Sequence, residues 1–309
     1  MTLAAARGFY KSDFINYLAV ERNLSPRTVT EYERDLDCFL EFFKPYFAEE
    51  LSLETLDQRT IREFLTHLKR DKGYSATALN RKIAVLRAYF LFLEREGYVE
   101  RSPMIGIKSA KMGRPLPKVL SETEVKTLLG ASNTENERNS RSRETILRDR
   151  AILEVFYATG MRISELVGLD VGSMNLEKGL VLVTGKGNKQ RMVLLNESAI
   201  RSVAEYLGVR PRAEDRALFL NRFGRRFTVR GVEYLFSGYL RKSGIQKSAC
   251  PHTMRHSFAT HMLEHGSDLM TLKELLGHQS LSTTQIYTNI SFQHMRETYR
   301  KSHPRDHFK

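Results

Sequence analysis

The sequence of 309 residues has no apolar run long enough to cross a membrane, and it has only two cysteines. Its longest apolar run lies near Ala88 to Leu93, whereas a membrane-spanning helix needs about 20 apolar residues. The opening MTLAAARGFYKSDF lacks the apolar stretch of a signal peptide. Cys38 and Cys250 are too few for a disulfide framework in a chain of this length. These absences predict a soluble protein of a reducing compartment, the cytoplasm.

Two common kinds of catalytic motif are also missing. The sequence has no GxxxxGK[ST] phosphate loop, no HExxH motif and no Cys/His pairing with metal-ligand spacing. His252, His256 and His261 are spaced nearly as metal ligands are, but the arginines expected around them disfavour a cation. We therefore expect no ATP, no metal and no other cofactor.

Acidic residues are fewer than basic residues, and nearly all of the difference lies in one part of the chain. Lysine and arginine total 49 against 36 aspartate and glutamate, a formal net charge of +13. Residues 1–110 contain 17 basic and 16 acidic side chains, whereas the remainder contains 32 and 20. Such a bias indicates a polyanionic partner, with solubility charge as the simpler alternative. We expect nucleic acid, held mainly by the second part of the chain.

The first hundred residues have the spacing of a helical bundle. Ser25-Pro26 is an N-cap signal, and Leu36 and Phe39 then recur at helical spacing. Residues 109–119 contain prolines, a glycine and basic residues, which predicts an extended linker. Residues 1–108 are therefore predicted to form a small helical domain.

The rest of the chain combines helices with a β-hairpin. Ser121 and Glu124 form a capping-box pattern that opens a new helix. Short apolar runs at 180–183 and 192–195 flank a GKGNK turn, which predicts a hairpin. The predicted fold class is mainly α with a small β-sheet, in which residues 120–309 form a mixed α+β second domain.

Basic residues gather within the first domain. They are Lys69, Arg70, Lys72, Arg81, Lys82 and Arg87. A solvated charged face is the simpler interpretation, but a local excess in a nearly neutral domain favours contacts to DNA phosphates. We therefore predict that these six residues bind DNA.

Six residues of the second domain carry the groups that phosphodiester cleavage needs. In chain order they are Arg162, Lys186, His252, Arg255, His278 and Tyr287. Arginines and a lysine can surround a phosphate with positive charge, histidines can move protons, and a tyrosine is a nucleophile. Structural roles are the alternatives: Arg162 could simply pair with Glu165 one helical step away, and the lysine and histidines could be turn or cap residues. Lys189 and Arg191 beside the hairpin tip predict that the hairpin reaches DNA.

The sequence motifs around these residues resemble those of one protein family. ATGMRISEL, GKGNKQR, HTMRHSFATH, LLGHQSLSTTQIYT and a closing HPR resemble, in order, the motifs of the tyrosine recombinases of the lambda-integrase family, and most closely its Xer group. The opening FINYLAVERNLSPRTVTEYERDL is similar to the amino-terminal domain of that group, which there binds the DNA core site. The sequence departs from the usual leucine at Met161 and Met254, and its polar stretch at 131–147 is long.

The resemblance implies a role for each residue. Arg162, Arg255 and His278 would bind the scissile phosphate, with Glu165 steadying the site. Lys186 would be the general acid, His252 would move a proton, and Tyr287 would form a 3′-phosphotyrosyl link.

The resemblance also implies partners. They are a double-stranded DNA recombination site, three further protomers that are identical or closely related, and a DNA translocase or accessory proteins. Strands would be exchanged through a Holliday junction. Two alternatives remain open: a type IB topoisomerase-like enzyme that relaxes DNA, and a DNA-binding regulator with an inactive site.

The end of the chain predicts a final helix from about Ser291 to Lys301. Phe292, Met295 and Tyr299 are spaced by three and four residues and form an apolar stripe along it. Packing on its own domain is the simpler expectation, whereas the resemblance implies docking on a neighbouring protomer.

Overall fold

The chain divides into two compact units, residues 1–115 and 116–309. A computed structural model describes residues 10–43, 56–111, 119–132, 142–185, 188–277 and 289–306, with the backbone alone for 289–294 and 306. Both units are built mainly from helices, and one small sheet lies in the second unit, as the sequence predicts. The division falls within the predicted linker 109–119, most of which lies outside the described residues.

Unit 1 is a bundle of helices with aromatic side chains packed in its core. Its helices are α1 (Lys11–Asn16, continuing into a π-helical turn Tyr17–Glu21), α2 (Pro26–Phe43), α3 (Gln58–Arg70) and α4 (Ala76–Arg95). The predicted start of α2 at Pro26 is confirmed, and the Ser25 hydroxyl accepts a hydrogen bond from the Thr28 amide. Phe39 and Phe64 are fully buried, with ring centroids 5.2 Å apart.

Unit 2 surrounds a central helix with the other helices and the sheet. Its helices are α5 (Glu122–Gly130), α6 (Arg143–Thr159), α7 (Ile163–Val167), α8 (Glu197–Val209), α9 (Val229–Lys242), α10 (Pro251–Glu264), α11 (Leu269–Leu276) and α12 (Asn289–Ser302). The capping box of Ser121 and Glu124 is formed at the start of α5, as predicted. Helix α6 is buried along most of its length, so its carboxyl end holds a fixed place in the core.

The sheet has three antiparallel strands in the order β1, β2, β3. They are β1 (Met174–Asn175), β2 (Leu180–Thr184) and β3 (Gln190–Leu194). The hairpin of β2 and β3 confirms the prediction, with Val181 paired to Val193 and both side chains buried. Strand β1 was not predicted, because two residues are too few to show an alternating pattern.

The carboxyl-terminal helix packs on its own unit. Met295 and Tyr299 are buried, and the Tyr299 hydroxyl donates to the carbonyl of Ala158 at 2.8 Å. Arg305 beyond the helix forms an ion pair with the buried Glu154. In the single chain, therefore, the described part of the stripe, Met295 and Tyr299, covers its own core, as the simpler of the two expectations has it. Within the described parts of the chain, no helix combines the length and hydropathy needed to span a membrane.

Candidate active site

Arg162 lies in the short connection between α6 and α7. Gly160 ends α6 with a left-handed φ of 55°, and a Cβ atom there would lie 2.2 Å from Cδ1 of Phe258. Arg162 itself is extended and occupies the N-cap position of α7. Its side chain is 44% exposed. The connection therefore presents a partly solvated guanidinium at a rigidly placed turn.

Glu165 is the acidic centre of the site, and only 4% of it is exposed. One carboxylate oxygen accepts the Arg162 amide at 2.8 Å, and the other accepts the Arg162 guanidinium at 3.0 Å. Arg191 donates to both oxygens, each at 2.9 Å. Burial opposes ionisation, but the hydrogen bonds from Arg191 and Arg162 outweigh it and lower the pKa of Glu165 below its usual range. Glu165 is therefore a carboxylate held between two arginines.

Arg255 and His252 lie three residues apart in the first turns of α10. Arg255 is buried, and its guanidinium donates to the carbonyl of Gly160 at 2.6 Å and to that of Leu276 at 2.8 Å. Burial, followed by the charge of Arg162, lowers the pKa of Arg255 to about 10. The side chain thus remains protonated at neutral pH.

His252 is exposed at the start of α10, with its ring centroid 4.5 Å from that of His256. Partial burial, the neighbouring His256 and the charges of Arg255 and Arg162 lower the pKa of His252 below its usual range. The imidazole is consequently neutral at pH 7 and able to accept a proton.

The carboxyl end of α11 is held by arginines from three different elements. The carbonyls of residues 275–277 accept hydrogen bonds from Arg191, Arg255 and Arg162, in that order, at 3.2, 2.8 and 3.5 Å. Gly277 closes the helix with a φ of 64°. A helix carboxyl terminus favours cations because its last carbonyls carry partial negative charge. Three guanidinium groups thereby converge on one point.

The hairpin reaches the same point from the other side. The Gly185 amide donates to the Lys189 carbonyl at 2.7 Å, and Asn188 has a left-handed φ of 58°. A Cβ atom on Gly185 would lie 3.3 Å from a carboxylate oxygen of Glu165. Lys189 is exposed, whereas the Arg191 side chain is 10% exposed and turned inward. The base of the hairpin is therefore packed against Glu165.

The structure brings together Arg162, Glu165, His252 and Arg255 of the predicted set. Lys186, His278 and Tyr287 lie outside the described residues. Gly185 and Gly277, which directly precede Lys186 and His278 in the sequence, both lie beside the cluster of arginines and Glu165.

Arg191 is the residue whose role sequence reasoning missed. It was predicted to contact DNA, but its donors are directed to Glu165 and the end of α11. Alternation along β3 does not reveal this, because Val193 on the face of Arg191 and Leu194 on the opposite face are both buried.

The predicted DNA-binding residues of unit 1 have different environments. Lys69, Arg70 and Lys72 are exposed, and the first two line an open pocket between α3, α4 and residues 106–110. Lys82 is only 4% exposed and pairs with the buried Asp35 at 3.1 Å. It is therefore an interior residue rather than a phosphate contact, because α4 turns it towards α2.

Two further residues of that set are exposed but engaged within unit 1. Arg81 forms ion pairs with Glu31 at 2.6 Å and Asp35 at 3.0 Å. Arg87 donates to the Ile107 carbonyl. Contact with DNA would require both arginines to share or exchange these partners.

The helical fold with its small sheet and the cluster of arginines around Glu165 agree with what comparison with known protein families shows. The sequence matches the phage integrase family over residues 118–294 and the phage integrase N-terminal SAM-like domain over residues 12–97. The chain belongs to the phage integrase family and is a tyrosine-type site-specific recombinase.

Similarity to individual proteins extends over nearly the whole chain. The sequence is 37% identical to tyrosine recombinase XerC of Pelotomaculum thermopropionicum, covering 95% of this chain and 97% of that protein. It is 39% identical to tyrosine recombinase XerD of Listeria monocytogenes, covering 95% and 98%. The structure of the XerH site-specific recombinase bound to its palindromic difH substrate superimposes with a TM-score of 0.68 at 26% identity, covering 90% of this chain and 81% of that one.

Proposed function

We propose that this recombinase cuts and rejoins double-stranded DNA at a specific site through a 3′-phosphotyrosyl intermediate. One observation carries the proposal. Arg162 and Arg255 are held by Glu165, Gly160 and the end of α11, so two positive charges occupy fixed places beside the carbonyls of residues 276 and 277. Preorganised charge of this kind stabilises a phosphate as negative charge develops on it.

In the cleavage step, the hydroxyl oxygen of Tyr287 attacks the phosphorus atom of the scissile phosphate. The bond from phosphorus to the 5′-oxygen breaks, and the electron pair leaves with that oxygen. Lys186 supplies its proton, and His252 accepts the proton of the tyrosine hydroxyl. The lowered pKa of His252 supports this role, because a neutral imidazole is required to receive a proton.

In the rejoining step, the free 5′-hydroxyl of a partner strand attacks the phosphotyrosine and releases Tyr287. The phosphodiester energy is retained in the covalent link, so the reaction balances without ATP. Arg162, Arg255 and His278 bind the phosphate in both directions.

We further propose that four protomers, identical or of two related kinds, join two DNA sites and exchange strands through a Holliday junction. The XerH complex with its DNA substrate supports DNA as the partner. The exposed Lys69, Arg70 and Lys72 of unit 1 and Lys189 of the hairpin are the phosphate contacts that we propose. A DNA translocase or accessory protein would regulate the assembly.

The biological role that we propose is resolution of chromosome or plasmid dimers in the cytoplasm. Similarity to both XerC and XerD over at least 95% of this chain supports an Xer-like role. Integration or excision of a mobile element uses the same chemistry and is the second candidate.

Capture of covalent adducts tests the chemistry. The chain is incubated with sheared chromosomal DNA of its host, and DNA attached to denatured protein is sequenced to locate the site. A nicked duplex with that site should then give an adduct on a denaturing gel. Tyr287→Phe should give none, whereas Tyr234→Phe, an exposed tyrosine of the same unit, should match the wild type.

A plasmid carrying two copies of the mapped site separates the alternatives. A recombinase converts it into two circles or an inverted product. Relaxation of supercoils in a plasmid without the site indicates a topoisomerase instead. DNA binding without any adduct indicates an inactive regulator.

A further inference from the structure

Arg191 is fully engaged inside the catalytic unit. Its two terminal nitrogens donate to different carboxylate oxygens of Glu165, each at 2.9 Å, and Nε donates to the Leu275 carbonyl at 3.2 Å. Only 10% of the side chain is exposed. A planar fork bound in this way fixes orientation as well as charge.

The same guanidinium lies beside both Gly185 and Gly277. A Cβ atom on Gly277 would lie 3.0 Å from three of its atoms, and one on Gly185 would lie 3.8 Å from a terminal nitrogen. Gly277 also has a left-handed φ of 64°. The hairpin and the end of α11 therefore approach each other with the Arg191 side chain between them, and at Gly277 the absence of a Cβ atom allows the close approach.

Lys186 stands directly after Gly185, so its position depends on how this hairpin is seated. Arg191 lies in β3 opposite Val183 and holds the hairpin against Glu165 and α11. We propose that Arg191 is a positioning residue that seats the hairpin so that Lys186 can protonate the leaving 5′-oxygen. This inference rests on the proposed function.

Charge alone gives a competing explanation, in which Arg191 simply adds positive potential near the phosphate. Its guanidinium is 10% exposed and directs three donors to Glu165 and the Leu275 carbonyl, which argues against a role as free positive charge. Arg191→Lys separates the two, because an ammonium keeps the charge but cannot make three hydrogen bonds in the same plane.

The experiment compares two nicked duplexes with the mapped site, one normal and one with sulfur in place of the leaving 5′-oxygen. A thiolate leaves without protonation, so the sulfur duplex bypasses Lys186. A misplaced catalytic group costs about 100-fold in rate. We expect Arg191→Lys to cleave the normal duplex about 100-fold more slowly, to cleave the sulfur duplex at close to the wild-type rate, and to bind DNA within a few-fold of the wild type.

Arg210→Lys is the matched control, because Arg210 also donates to backbone carbonyls, those of Asp215 and Ala217, in the same unit. It should alter stability and leave the ratio of the two cleavage rates unchanged. That ratio is measured on one preparation and does not depend on the fraction of folded protein. Arg191→Gln provides a second variant in case Arg191→Lys folds poorly.

The outcomes separate this inference from the proposed function. If the wild-type chain forms no adduct with either duplex, the proposed function is wrong and the inference falls with it. Suppose that the wild type cleaves both duplexes. If the Arg191 variants then cleave both at the wild-type rate, or are slowed by the same factor on both, Arg191 does not act through Lys186. Sulfur rescue confined to the Arg191 variants and to Lys186→Ala supports the inference.

Discussion

Gly160→Ala is the substitution whose effect the structure predicts most fully. The residue has a φ of 55°, and a Cβ atom would lie 2.2 Å from Cδ1 of the fully buried Phe258 ring. A left-handed conformation costs an alanine about 1–2 kcal/mol, and forcing an additional carbon into a packed core costs about 1–3 kcal/mol. The catalytic unit should thus lose about 2–5 kcal/mol of unfolding free energy.

For a unit of this size, each kcal/mol lowers the midpoint of thermal unfolding by about 2–4 °C, so we expect a decrease of about 4–20 °C. The assay is thermal unfolding followed by circular dichroism. Gly238→Ala is the control, because this glycine of α9 has no atom within 4 Å of its Cβ position. It should stabilise the chain by about 0.5–1 kcal/mol through reduced backbone freedom.

Gly160→Ala should also impair cleavage beyond its effect on stability. The Gly160 carbonyl accepts from Arg255, so displacement of this turn moves a guanidinium that binds the phosphate. A shift of about 1 Å costs up to about 100-fold in rate, measured well below the unfolding midpoint. Equal unfolding midpoints for Gly160→Ala and the wild type would refute the steric reasoning, and normal cleavage by the folded variant would refute the link to Arg255.

Three further predictions concern charge. Because the pKa of Glu165 is lowered on folding, its stabilising contribution is present above the unfolded pKa of about 4.3 and is lost as pH falls through the folded value. Glu165→Gln should therefore lower stability at pH 7 and flatten the acid limb of a stability profile, and an unchanged acid limb would contradict this. Because the pKa of His252 is lowered, cleavage should persist below pH 6.5 and decline only at lower pH, and His252→Gln should abolish that decline. Lys72→Ala should lower the slope of DNA affinity against salt concentration by about one phosphate contact, as gel-shift titrations would show. Lys82→Ala should leave that slope unchanged and instead destabilise unit 1, as thermal unfolding would show.

Much of the fold could be predicted from local patterns. Pro26 begins α2, Ser121 and Glu124 form their capping box, and Gly277 ends α11 in a left-handed conformation. These features depend on interactions within a few residues, so the order of amino acids is sufficient to specify them. The motifs of the catalytic unit likewise identified the family, because their order along the chain is itself the signal.

The direction of long charged side chains was decided only by the tertiary structure. Lys82 and Arg191 were both predicted to face DNA, and both are turned inward to carboxylates, Asp35 and Glu165. The partners lie 47 and 26 residues away in the sequence, and no local pattern records such a distance. A buried charge is stable only where another element supplies its counter-charge and hydrogen bonds, and that supply exists only once the elements have packed.

The site combines both kinds of information. The sequence alone determined which groups are available, since Arg162, His252 and Arg255 were identified from their motifs. Only the folded chain showed that three arginines from a turn, a strand and a helix meet at the three carbonyls that end α11. This arrangement of arginines requires four separate elements to pack together. Burial and hydrogen bonding across all four elements stabilise it jointly, so it cannot be read from one residue at a time.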